Sequence, residues 1–252
     1  MDTIVAPLFP TRLPWVNTTG PQATIQRGRP MLVEFWDFCR PNSMRTLPYL
    51  KGWHERYGGE GLRTIGVHCP GFEVSGEEPA VRAAVERLGI TYPVLIDSGF
   101  EVWEDYGNEG WPARYLFDGR ARLVDYHHGE GGYRETELAI QELLGVEREP
   151  IDPVRPEDGP GARLSAQTAE QPGAYCGPYQ AGGVWAVLEG TGTVRFSDSG
   201  AAGADAQSGE LAITHPGAYP LIEHDRHTAG TITLECDAGV ECLATCFTPG
   251  VG

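Results

Sequence analysis

The sequence predicts an α/β domain followed by an all-β domain, and three observations carry that reading. Up to about Val146, apolar runs of strand length alternate with amphipathic helical patterns, as in a sheet flanked by helices. From Glu147 to Arg163 the chain reads EREPIDPVRPEDGPGAR, with four prolines and no apolar periodicity, which marks an extended linker. Beyond it the composition shifts to Gly, Thr, Val and Ala in short alternating runs with no helical pattern, the mark of an antiparallel β-sandwich. The expected boundaries are residues 1–148, a Pro-rich linker over 149–162, and residues 163–252.

In the first domain, MLVEFWDF (31–38) is apolar enough for a buried strand. A helix is expected over 43–57 with Pro48 inside it. That proline kinks the helix without ending it, because Leu47, Leu50, Trp53 and Tyr57 continue one apolar face. Residues 62–68 form the next strand, 77–88 a helix, 92–96 a further apolar run and 100–106 a short helix. Residues 114–117 and 122–126 make a hairpin around Asp118-Gly119, and 134–144 is a closing amphipathic helix. The second domain offers strands at 184–188, 191–196, 211–214, 231–235 and 240–247, with 197–209 as a flexible hairpin loop.

Composition narrows the partners. The 252 residues carry 35 acidic against 19 basic side chains, a net charge of -16, and only one basic residue, Lys51, is lysine. Nucleic acid and anionic membrane both select basic faces, so neither is expected as a partner. No apolar run reaches the roughly 20 residues that span a bilayer. The opening MDTIVAPLFPTRLPW has no leader pattern, so a cytoplasmic protein with reduced thiols is expected from its six cysteines.

The stretches LVEFWDFCRPNSMRTLPYLKGWHERY (32–57), IGVHCPGFE (65–73), YGNEGWPARYLFD (106–118) and YHHGEGGYRETELAIQELL (126–144) resemble the thioredoxin-like redoxin family, closest to its TlpA/DipZ-like branch. The resemblance implies an α/β thioredoxin-like fold, a central mixed sheet flanked by helices. The second half, through HTAGTITLECDAGVECLATCFTPG (227–250), is similar to the β-sandwich appended to DipZ proteins. The family's Cys-x-x-Cys motif would place its thiols at positions 40 and 43, counted back from Pro48, where this chain has Arg40 and Ser43. The one thiol in that loop is Cys39. Dithiol exchange needs a resolving thiol beside the attacking one, so ordinary thioredoxin activity does not carry over.

The implied topology gathers Cys39, Cys69, Pro112 and the pair His127-His128 at one rim of the sheet. Cys39 precedes a helix N-terminus beside Arg40, and both features favour thiolate; a packed strand-end thiol is the alternative. Cys69 would resolve an oxidised Cys39 if the Cα atoms lie within about 7 Å; two unrelated buried thiols is the simpler reading. Pro112, after Trp111, matches the family's cis-proline, which presents a backbone edge to extended substrates. Arg40, Asn42 and Ser43 offer an anion cradle or a local turn. His127 and His128 alternate in facing, so at most one, taken as His128, meets the rim.

Cys176, Cys236, Cys242 and Cys246 invite a zinc reading, but their spacing is unlike paired knuckles and packing is expected instead. His215, His224 and His227 do not match cupin spacing, and Trp185, Tyr179 and Tyr219 are expected to be core before ligand face. Neither metal nor cofactor is called for. The leading expectation is thiol chemistry through Cys39 on a peroxide or on a small-molecule or protein disulfide, with a homodimer left open. The alternative is a redox-inactive binding module whose β-sandwich supplies surface.

Overall fold

A computed structural model describes residues 4–18, 28–199 and 207–252. It divides into two compact units, Met1–Phe38 with Asn42–Asp152, and Cys39–Pro41 with Pro153–Gly252. The break at Asp152 falls inside the Pro-rich stretch. Among the described residues no helix is long and apolar enough to cross a membrane.

The first unit is built on a six-stranded mixed sheet. Its strands are β1 (Trp15–Val16), β2 (Met31–Trp36), β3 (Arg63–His68), β4 (Val94–Ile96), β5 (Ala113–Phe117) and β6 (Leu123–His128), in the spatial order β1-β4-β3-β2-β5-β6. β2, β3 and β4 run parallel, with Trp36 beside His68 and His68 beside Ile96. β5 and β6 add antiparallel, pairing Phe35 with Ala113 and Ala113 with His128. All six residues of β2 are buried, as a central strand covered on both faces requires. Its odd-numbered side chains, Met31, Val33 and Phe35, pack with Ile65, Val67 and Cys69 into one apolar cluster, and each large side chain so buried contributes roughly 1.5–3 kcal/mol.

The helices are α1 (Pro41–Tyr57), α2 (Glu78–Arg87), α3 (Glu101–Asp105) and α4 (Tyr133–Leu144). α1 starts two residues earlier than the pattern suggests, at Pro41, because proline suits the first turn, where its missing N–H has no partner to lose. The helix continues through Pro48, with Leu50, Trp53 and Tyr57 buried beneath it. Gly66 in β3 makes room on the opposite face of the sheet: a Cβ there would lie 2.9 Å from the Trp36 indole nitrogen.

Two local expectations are refined. Within the apolar run at 92–96, Val94–Ile96 is a parallel strand of the sheet, and Trp15–Val16 extends the sheet beyond it in a register that two residues could not announce. The hairpin around Asp118-Gly119 forms, its loop closed by Asp118 Oδ1, which accepts the N–H groups of both Arg120 and Arg122, while Ala121 takes a φ of 62°. β6 runs on through His128.

The second unit is antiparallel throughout. β8 (Gln171–Pro172), β9 (Gly177–Gly190), β10 (Gly192–Asp198), β11 (Gln207–Ile213), β12 (Gly217–Cys236) and β13 (Val240–Thr248) form one sheet ordered β11-β10-β12-β9-β13-β8. β7 (Leu164–Ser165) and β14 (Gly250–Val251) pair as a ribbon. The expected sandwich is thus one hydrogen-bonded sheet plus a ribbon. Residues 181–188 of β9 are buried without interruption, and Pro249 crosses so close to Gly182 that a Cβ there would meet its carbonyl oxygen at 2.2 Å. β12 is far longer than its apolar run because two register shifts let it bend while staying paired to β9. Of the expected loop at 197–209, both ends are strand, and 200–206 lie outside the described residues.

The helix layer of the first unit is fastened by one buried carboxylate. Glu137 of α4 accepts from Trp53 Nε1 (3.0 Å) and Ile151 N (2.8 Å) at one oxygen, and from Arg56 (3.0 Å) and Tyr57 Oη (2.6 Å) at the other. Glu137→Ala strands these donors and is expected to cost about 3–5 kcal/mol in urea unfolding, several times the cost at exposed Glu135.

Candidate functional site

The C-terminal ends of β2 and β3 and the N-terminal end of β5 meet at one edge of the sheet, and polar groups concentrate there. Asp37, just past β2, accepts from Gly71 N (2.8 Å) through Oδ2, while Oδ1 lies 3.3 Å from His68 Nε2 in a contact lacking hydrogen-bond alignment. Neither side chain has any exposed surface. Phe38 stacks on the His68 ring at 5.3 Å.

Cys69, one residue past β3, has its N–H on Trp36 O (3.1 Å), and its carbonyl accepts from Trp111 Nε1 (3.0 Å). Its thiol donates to Asp97 Oδ2 at 3.5 Å. Burial above all, then the Asp97 charge, pushes the Cys69 thiol far up, so it stays protonated. Burial also raises Asp97, partly offset by the N–H groups of Glu101 and Trp103, each at 2.9 Å. Beyond Asp97, the rings of Phe100, Trp103 and Trp111 form a partly exposed aromatic cluster, the two indoles 4.5 Å apart, beside a cis Trp111–Pro112 peptide.

The expected site residues divide. Cys39, in the turn between β2 and α1, has no exposed surface, and neither does Cys69; both are free thiols. Cys69 faces the apolar cluster and Asp97. Arg40, grouped with the second unit, pairs there with Glu170 at 3.2 Å, so it is no free cradle for an anion. Ser43 is buried, and its hydroxyl accepts from Asp37 N at 3.2 Å, which ties helix to strand end. Asn42 is exposed and its carbonyl accepts from Thr46. His127 and His128 do alternate: His127 Nε2 meets Glu130 O at 2.9 Å, and exposed His128 lies 3.4 Å from Tyr115 Oη. Neither bonds a thiol.

In the second unit, the histidines and cysteines bond to other partners. His224 bonds Tyr179 Oη at 2.8 Å, His215 bonds Thr214, and Cys246 donates to Glu170. Among the described residues no three His, Cys, Asp or Glu side chains are grouped to hold a metal ion. Tyr179 and Trp185 are buried.

Sequence reasoning missed the acids. Asp37 and Glu34 interrupt the apolar run MLVEFWDF, and an acid inside a central strand is the available signal. Glu34 is fully buried with no hydrogen bond to either oxygen, although Arg114 is its cross-strand neighbour. The Arg114 guanidinium instead lies over the Tyr133 ring at 5.1 Å and donates to Gly131 O.

Comparison with known proteins places these features. The DipZ proteins of Mycobacterium bovis and Mycobacterium tuberculosis are 31% identical over 210 residues, 81% of this chain, a stretch longer than its first unit. The chain spans about 30% of their length. The thiol-disulfide oxidoreductase YkuV of Bacillus subtilis is 23% identical over 130 residues, 52% of this chain and 87% of YkuV. The crystal structure of a thiol-disulfide isomerase from Corynebacterium glutamicum superposes with a TM-score of 0.50 at 24% identity, over 56% of this chain and 98% of that one, and shows the shared fold. No family model matches.

Burial pushes Glu34 up to about 8, against only a partial pull from Arg114. Between the ordinary value of 4.5 and about 8 the folded chain holds a proton the unfolded chain releases, so this group's contribution falls as pH rises through that window and levels off above it. Glu34→Gln is therefore expected to gain on the parent by roughly 3–5 kcal/mol between pH 5 and pH 9 in urea unfolding; a constant gap would show that Glu34 is ionised when folded.

Proposed function

Because this chain belongs to the thioredoxin-like redoxin family and yet has no cysteine at position 40 or 43, we propose that it works as a recognition module of that fold, without a dithiol cycle. The observation that carries this reading is the burial of both thiols near the rim, Cys39 and Cys69, each with 0% exposure. Thiol exchange needs a thiolate with open approach to a substrate sulfur. Cys69 has neither, since burial first and then the Asp97 charge oppose its ionisation. What the rim does present is aromatic surface: Phe100, Trp103 and Trp111 beside Pro112. Rings of this kind supply much of the contact energy at protein interfaces, and the proposed partner is an extended polypeptide segment, the shape that thiol-disulfide oxidoreductase relatives would receive at this edge.

A second reading keeps single-thiol chemistry. Cys39 lies two residues before the first residue of α1 and beside Arg40, and both the helix dipole and the guanidinium favour thiolate. In that case the Cys39 thiolate attacks a peroxide, releasing water or alcohol and leaving a sulfenic acid that two external thiols reduce with loss of water, or attacks a disulfide, expelling one thiolate and leaving a mixed disulfide that one external thiol resolves.

Cysteine-resolved alkylation of the native, reduced chain separates the two. The proposal expects Cys39 and Cys69 to stay unmodified while exposed Cys176 reacts, and reduction of insulin disulfides by dithiothreitol to run no faster with the protein than without it. A Cys39 that reacts as readily as Cys176, with an apparent pKa well below about 8.5, would replace recognition with the single-thiol reading.

A further inference from the structure

The opposite end of the sheet, where β2, β3 and β4 begin and α1 and α2 end, holds a cavity of about 680 Å³. Its walls carry Arg29, Lys51, His54 and Arg63, with Glu55 the one acid among them. In a chain with 35 acidic residues against 19 basic ones, this local excess of positive charge runs against the composition. Helix ends explain part of it: Lys51 Nζ donates to Leu88 O at 2.8 Å and so caps α2. They do not explain Arg29 and Arg63. Neither guanidinium has an ion-pair partner among the described residues, and the two charges oppose each other, Arg63 being held below its ordinary value by burial and then by Arg29.

We propose that this cavity binds a phosphomonoester, its phosphate held between the Arg29 and Arg63 forks with Lys51 as a further point charge. Guanidinium forks match phosphate oxygens two at a time, and relief of their mutual repulsion adds to the attraction. The cavity falls within the range of roughly 300–1,000 Å³ typical of small-molecule sites, which is larger than inorganic phosphate needs. The site is independent of the rim chemistry and stands whichever reading of Cys39 holds.

The test is calorimetric titration of the full chain with inorganic phosphate, glucose 6-phosphate and adenosine monophosphate, each against potassium chloride at matched ionic strength. Saturable binding of at least one ester is expected, about tenfold tighter than inorganic phosphate, and weakened about thirtyfold or more in Arg29→Gln/Arg63→Gln. Arg29→Gln alone is expected to weaken it about fivefold, and it carries the test if the double variant does not fold. No saturable binding beyond the chloride control, or binding unchanged in these variants, would overturn the site. Equal affinity for inorganic phosphate and both esters would overturn the ester assignment.

Discussion

The first unit depends on a single carboxylate that the solvent never reaches. Glu137 gathers the indole of Trp53, the hydroxyl of Tyr57, the guanidinium of Arg56 and the backbone of Ile151. These come from α1 and from the chain leaving α4, so one acceptor on α4 locks the helix layer that covers the central strands. A carboxylate can be buried only when its lone pairs are filled, and the four donors meet that condition. Gln141, one helical turn on, accepts from Arg148 N and donates to Tyr57, extending the same fastening. Because α1 begins at the candidate rim and ends at the basic cavity, its fixed position sets the geometry of both ends of the sheet.

Those two ends have opposite character. At the rim, acids sit behind the strand ends and keep the nearby chemistry protonated and packed: Asp97 holds the Cys69 thiol, and Asp37 engages Gly71, His68 and the turn into α1. At the far end the parallel strands start and the helices stop, and two arginines without an ion-pair partner among the described residues line a cavity. Between them, the face of the sheet under α1 and α4 carries Glu34 and Arg114 as near neighbours that do not hydrogen-bond, an uncompensated pairing deep in the core.

Much of this frame was legible in the residues. The apolar run at 31–36 announced a central strand, and Leu50, Trp53 and Tyr57 announced a helix that survives Pro48. The alternation of His127 and His128 followed from strand pleating alone. The site was less legible because its polar contacts join residues far apart in the chain. The contact of the Ser43 hydroxyl with Asp37 N and that of the Cys69 thiol with Asp97, 28 residues on, are visible only in the fold. Asp37 and Glu34 were visible as acids inside an apolar run, but nothing local says which donors, if any, they meet.

The sequence by itself determined the two-part organisation, the family, and the absence of a cysteine pair where a dithiol cycle would need one, because periodicity, proline content and residue identity are local properties. Only the tertiary structure decided that Cys39 and Cys69 are buried, that Glu34 lacks a hydrogen bond, and that Arg29 and Arg63 share one cavity wall. Burial and charge pairing depend on which distant segments are brought within a few ångströms. That is settled by the parallel register of β2 with β3 and the seat of α1 on Glu137, long-range choices that no window of sequence contains.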